Sequence, residues 1–158
     1  MREIRELGFE VALHTNGYFP EIVEQALSER LLHFVAVDFK APFDRYQSLT
    51  GQNADHEAFS RLADLLVTAG IKHEYRTTVH PGLLSDKDIM WMVDWLCEKK
   101  ISSYAIQKFK HGEALDATLQ PVTSACLQPA TLLKLRSRFT SFTLRADDSD
   151  ENGLQKVA

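Results

Sequence analysis

Four apolar runs, each ending in a small polar cluster, recur along the 158 residues and leave few folds open. Phe9 to Leu13 runs into His14-Thr15-Asn16-Gly17, and Phe34 to Val37 runs into Asp38-Phe39-Lys40. Tyr75 leads to Arg76-Thr77-Thr78-Val79, and Tyr104-Ala105-Ile106 leads to Gln107-Lys108. Helical periods separate the runs, so strand and helix alternate at a spacing of roughly thirty residues, which argues for a parallel α/β sheet with right-handed crossovers. Polar groups at the carboxyl ends of consecutive parallel strands open onto one shared face, where barrel-type α/β enzymes place their chemistry.

The elements between the runs carry their own signals. Arg2 to Leu7, stopped by Gly8, reads as the last turns of a helix, and Asn16-Gly17 as the turn leaving the first strand. Pro20 opens a helix at the position that tolerates a missing N–H, and Phe34 to Phe39 is a strand apolar enough to be buried on both faces. Asp44 to His56 reads as a polar loop. Phe59, Leu62, Leu65, Leu66 and Ala69 then share one side of a helix that stops at Gly70. Lys72 to Val79 is the third strand, and Ser85 with Asp88 three residues on caps the next helix. Ile101 to Phe109 is the fourth strand. A loop with Gly112 and Pro121 leads to a helix over Pro129 to Arg138, and Phe139 to Leu144 is a candidate last strand. The run Asp147 to Gly153 is too acidic and polar to pack. The expected division is a domain over 1–145 and a disordered acidic tail over 146–158.

The bulk properties exclude several classes. A net charge of -4 gives no electrostatic case for nucleic acid or an anionic membrane as the main partner. No apolar stretch reaches the length of a membrane span, and the amino terminus lacks a signal core, so a cytoplasmic setting is expected. Two cysteines in non-motif positions fit that reduced setting. A complete eight-stranded barrel takes roughly 250 residues, more than this chain has.

Each candidate site residue has a bland alternative. His14-Thr15-Asn16-Gly17 is a turn by default, with Thr15 and Asn16 as ligand-facing donors in the functional reading. Asp38 and Lys40, two residues apart, point to the same side of the pleat. They pair with each other or with Arg76, or else offer an acceptor for ribose hydroxyls or an amino group and a donor for a carboxylate. Arg76 and Thr78 share one face and Thr77 takes the other; the planar fork of Arg76 suits an anionic group as well as a salt bridge. The histidines show no metal-ligand spacing, and His80 reads as a loop residue beside the site. Met90, Trp91, Met92 and Trp95 are read as helix packing. No Gly-rich phosphate loop or nucleophile elbow occurs.

Taken in order, four segments look like one family. They are Thr15-Asn16-Gly17, Val35 through Pro42, Tyr75 through Gly82, and Ile106 through Gly112. The set resembles the radical S-adenosylmethionine activating enzymes of glycyl-radical proteins, and within them those that serve anaerobic ribonucleotide reductase. The resemblance implies a parallel-stranded partial (β/α) barrel, S-adenosylmethionine as cofactor, and a [4Fe-4S] cluster on a CxxxCxxC loop. By position it places Thr15 and Asn16, Asp38 and Lys40, Arg76 and Thr78, and Gln107 at the ends of four consecutive strands around that cofactor. It implies a glycyl-radical enzyme such as anaerobic ribonucleotide reductase as partner.

One departure limits what the resemblance carries. The chain has neither CxxxCxxC nor the family's Gly-Gly-Glu segment, and Cys97 and Cys126 do not supply three thiolates at one point. The expectation is therefore a barrel truncated at the amino terminus, its last four or so strands, inactive without a complementing amino-terminal fragment. An open apolar edge is expected at the first strand. The rival from another class is a non-catalytic α/β interaction module. A hydrolase or transferase using Asp38, Lys40 and Arg76 is weakened by the lack of a nucleophile with a neighbouring base.

Overall fold

Five strands pair in chain order into one sheet, and every pairing is parallel. They are Ala12–Thr15 (β1), Phe34–Asp38 (β2), Lys72–Val79 (β3), Ser103–Lys108 (β4) and Ser141–Arg145 (β5). The structure, a computed structural model, describes residues 1–111, 119–122 and 125–145. Gly112 and the acidic run from Asp147 lie outside the described residues.

A parallel sheet whose strand order follows the chain, with crossovers of one hand, carries its helices on a single face. The core fits that layout. Val35, Val37 and Phe39 of the second strand segment, Tyr75 and Val79 of β3, and Tyr104 and Ile106 of β4 form one buried cluster. The helices contribute Val23, Phe59, Leu62, Leu66, Ile89, Met92, Leu96 and Leu135 to the same cluster. The expected α/β class and parallel pairing are what the chain adopts, in the arrangement of a (β/α) barrel wall.

The helices are set by the local chemistry of their ends. Pro20–Ser28 (α2) follows Arg2–Glu6 (α1) and begins with proline at its first position. His56–Ala69 (α4) starts where the Asp55 carboxylate accepts the Ala58 N–H at 3.0 Å, and it stops at Gly70, whose φ of 63° is left-handed. Asp86–Glu98 (α5) has a full capping box: the Ser85 hydroxyl accepts the Asp88 N–H, and Asp88 accepts the Ser85 N–H at 2.8 Å. Pro129–Arg138 (α6) lies where its apolar period places it.

Several boundaries differ from expectation: β4 covers Ser103–Lys108 rather than Ile101 to Phe109, and β2 ends at Asp38 rather than Phe39. β1 begins at Ala12 rather than Phe9, and Phe9 is 63% exposed, because Leu7 through Phe9 finish α1 with backbone bonds to Glu3, Arg5 and Ile4. Exposed large apolar side chains near the amino terminus include Ile4 of α1, Leu7 and Phe9 after it, Phe19 before α2 and Ile22 within it. β5 starts two residues later than the candidate, at Ser141. The polar loop from Asp44 to His56 holds a 3-10 turn over Phe43–Arg45 and a short helix, Tyr46–Thr50 (α3). The buried ring of Tyr46 and the half-buried ring of Phe43 hold that segment down, Phe43 against Trp95 at 5.3 Å and Tyr46 against Phe59 at 5.4 Å.

Cys97 and Cys126 are not joined in a disulfide. Among the described residues, no helix is long and apolar enough to cross a membrane.

Asp88 links α5 to the α3 segment through an ion pair with Arg45 at 2.6 Å. Burial opposes its ionisation, but the Ser85 hydroxyl and N–H together with Arg45 outweigh that cost and hold its carboxyl below the ordinary 3.8. A depressed folded-state value contributes stability above the unfolded value, and that stability is lost as pH falls through the folded one. Asp88→Asn is expected to lower unfolding free energy near neutral pH by about 1 kcal/mol. It should also flatten the acid limb below about pH 4 in urea titrations. An unchanged acid limb would show that this cap is not what titrates.

Candidate functional site

Period-two alternation sorts the side chains of the central strands onto two faces. Asp38 sits opposite Arg76 in the β2–β3 register, and Thr78 opposite Gln107 in the β3–β4 register. Tyr75, Thr77 and Val79 point into the core, so Glu74, Arg76 and Thr78 occupy the opposite face. The expected split between Arg76 and Thr78 on one side and Thr77 on the other is what the strand shows.

At the carboxyl ends of β2 and β3 lies a cavity of about 480 Å³. Its polar side is Asp38, Lys40, Arg76, Thr78 and His80, and Leu49, Leu83, Leu84, Phe109 and Leu119 form its apolar side. Ser48 and Thr50 of α3 close the rim.

Arg76 donates from Nε to Asp38 Oδ1 at 2.6 Å. Asp38 is the only acceptor of Arg76 among the described residues, so the terminal nitrogens of the guanidinium remain for another acceptor. The salt-bridge reading of these two residues is thus realised, and it leaves a directed cation behind. Lys40 is exposed, and among the described residues its ammonium has no ion-pair partner. Summed over Asp38, Arg76 and Lys40, the three side chains carry one net positive charge, with no further ion pair among the described residues.

His80 binds at both nitrogens. Its Nδ1 accepts the Gly82 N–H at 3.0 Å, which leaves the proton of the neutral ring on Nε2 to donate to the Gln120 carbonyl at 3.0 Å. Its ring meets Phe109 edge-on at 4.9 Å. The histidine that read as a loop residue is therefore a wall of the cavity, joining the exit of β3 to the segment carrying Leu119.

Four of the seven candidates, Asp38, Lys40, Arg76 and Thr78, line this cavity; Thr15, Asn16 and Gln107 do not. The Thr15 hydroxyl accepts the Gly17 N–H at 3.1 Å, and Asn16 Oδ1 accepts the Tyr18 N–H at 3.3 Å. Those are self-capping turn bonds. Gln107 is half-buried on β4, in register with Arg145 as well as Thr78. Ser48, Leu49 and Thr50 were missed because the segment read as loop. The i, i+3 pair Tyr46 and Leu49 followed by Gly51, at φ 75°, was the available signal.

Among the described residues, no cluster of histidine, cysteine and carboxylate side chains is arranged to hold a metal ion. Cys97 faces Arg138, which donates from Nε to its sulfur at 3.5 Å.

Comparison with known proteins adds a family context. A protein of Methanocaldococcus jannaschii described as a "Putative glycyl-radical enzyme activating enzyme" is 32% identical over 119 residues, 73% of this chain and 49% of the relative. The chain thus spans about half the length of that relative. This chain is similar to the activating enzymes of glycyl-radical enzymes. A crystallised domain of pyruvate-formate lyase-activating enzyme from Bacteroides vulgatus shares the fold, with a TM-score of 0.65 over 91% of this chain and 86% of the domain, at 12% identity. No family model matches the chain.

Gly17, by contrast, is held by packing. Its φ is 83°, and a Cβ there would come within 3.1 Å of the Phe59 ring. Gly17→Ala is expected to destabilise the fold by about 1–2 kcal/mol, read as a lowered melting temperature. A neutral substitution would show that the turn is not the determinant of this corner.

Proposed function

We propose that this chain supplies the S-adenosylmethionine-facing wall of a radical S-adenosylmethionine activating enzyme, one that places a glycyl radical on a partner enzyme. The observation that carries the proposal is the convergence of Asp38, Lys40, Arg76 and Thr78 on one cavity with an apolar flank. Sequence similarity to an activating enzyme supports it independently.

The donor set suits this cofactor. A zwitterionic amino-acid end needs a cation for its carboxylate and an acceptor for its amino group; Lys40 with the free nitrogens of Arg76 gives the first, and Asp38 gives the second or binds ribose hydroxyls. The apolar side formed by Leu49, Leu83 and Phe109 suits a nucleoside base. When bound, the cofactor supplies the radical chemistry of its class. The residues here bind and orient it.

The iron–sulfur cluster of the family does not fit this chain. A cluster site needs three cysteine thiolates at one point, whereas the chain has two cysteines and the sulfur of Cys97 rests against Arg138. The ligands therefore come from a complementing segment, and no redox step is assigned to these residues. The partner is a glycyl-radical enzyme in the cytoplasm, and the resemblance of the four site segments favours anaerobic ribonucleotide reductase.

Isothermal titration of the chain with S-adenosylmethionine tests the proposal. Saturable binding is expected, weakened about tenfold or more by Lys40→Ala and by Arg76→Leu. Wild-type chain with no saturable binding up to millimolar cofactor would end this reading. Capture of a glycyl-radical enzyme without cofactor would instead favour an interaction module.

A further inference from the structure

We propose that Thr77, which does not touch the cavity, is a positioning residue that fixes Lys40 from behind the sheet; this rests on the binding role proposed above for that side chain. The β2–β3 pairing carries a backbone bond from the Phe39 N–H to the Arg76 carbonyl at 3.0 Å. One peptide farther along, the Phe39 carbonyl is held by a side chain: the Thr77 hydroxyl donates to it at 2.7 Å. Thr77 in turn accepts from the Tyr104 hydroxyl at 2.7 Å.

The result is a directed chain from Tyr104 through Thr77 to Phe39, spanning three strands. Its members are buried: Tyr104 and Phe39 are fully enclosed and Thr77 is 1% exposed. Burial pushes the Tyr104 phenol well above its usual acidity range, so it stays protonated as the donor. With one donor fixed at its head, the direction of the chain is fixed as well.

Phe39 lies between the two side chains that matter. Its ring goes into the core, while Asp38 and Lys40 on either side point to the cavity. Beyond Asp38 the strand has ended, so nothing in the regular ladder dictates how the Phe39–Lys40 peptide turns. Two hydroxyls supply that constraint: Thr77 donates to the carbonyl of that peptide at 2.7 Å, and Tyr46 accepts its Lys40 N–H in a longer bond at 3.5 Å. Valine in its place fills nearly the same volume but leaves the Phe39 carbonyl and the Tyr104 hydroxyl unpaired in a dry core.

The test uses Thr77→Val, Thr77→Ser and Lys40→Ala in the full chain. In Thr77→Val, amide exchange at Phe39 and Lys40 is expected to speed about fivefold relative to Val37, the factor that matches the loss of about 1 kcal/mol. Thr77→Ser should restore the wild-type rates. With S-adenosylmethionine as probe, at a temperature where the variants are folded, Thr77→Val should weaken binding about fivefold. The double variant with Lys40→Ala should bind no worse than Lys40→Ala alone, since the effect passes through Lys40.

Wild-type chain that fails to bind the cofactor defeats the functional reading, and the exchange measurement alone then decides the positioning role. Unchanged exchange at Phe39 and Lys40, or acceleration spread evenly over β2, overturns the proposal whatever the binding result. So does additive loss in the double variant.

Discussion

The parallel register between β2 and β3 decides which way every central side chain points. Val35 pairs with His73 and Asp38 with Arg76, so Val37, Phe39, Tyr75 and Val79 fall on the helix-covered face while Asp38, Arg76 and Thr78 fall on the other. A slip of one residue would drive Arg76 into the cluster of Phe39, Tyr75 and Trp95 and lift the aromatic rings into water. Neither change is tolerable at the scale of folding free energies, since an unpaired buried charge costs several kcal/mol on its own. The apolar half of the alternation thus specifies the position of the polar half. The cavity inherits its geometry from the core.

Charge on that outer face is largely self-cancelling, which gives the exception its meaning. Glu74 is held by Arg145 at 2.7 and 3.0 Å, a contact from β3 to β5 that crosses β4. The crossing passes the level of Ala105, in register with both Arg76 and Thr143, where a methyl side chain leaves room. Asp38 and Arg76 form the second pair. Lys40 stands outside both. The protein as a whole carries a net charge of -4, yet Asp38, Arg76 and Lys40 together are cationic among the described residues, so the proposed binding of an anionic group would rest on contact rather than on long-range attraction.

Much of this was legible because the sequence states it twice. For β3, the alternation of Tyr75, Thr77 and Val79 against Arg76 and Thr78 gives the strand and its two faces together, and the bounds Lys72–Val79 are those observed. Ser85 with Asp88 marks the start of α5 by a side-chain signal that works at short range. What was not legible depends on partners distant in the chain. Phe9 looks like a strand residue, but its N–H is taken by Ile4, which ends α1 instead. Tyr46 looks like part of a loop until Phe59 and Tyr18 surround its ring. The position of His80 at a strand end set it beside the site, but the Gln120 carbonyl that orients it as a wall lies 40 positions away and left the loop reading ahead.

Two buried tyrosines on the same face show why the hydroxyls near the site are not incidental. Tyr75 and Tyr104 are in register on β3 and β4, both fully enclosed, and burial suppresses ionisation of both. The Tyr75 hydroxyl has no hydrogen-bond partner among the described residues, whereas that of Tyr104 begins a chain ending at the Phe39 carbonyl. For Tyr75 the packing of its ring on Phe39 is the stabilising contribution, against which its buried, unpaired hydroxyl is a cost. Ring packing does not account for Tyr104 and Thr77 together. A hydrophobic pair at those positions would fill the same space, so the polar pair is explained by direction: it holds the carbonyl of one peptide, the one from which Lys40 leaves the sheet and whose N–H the Tyr46 hydroxyl accepts.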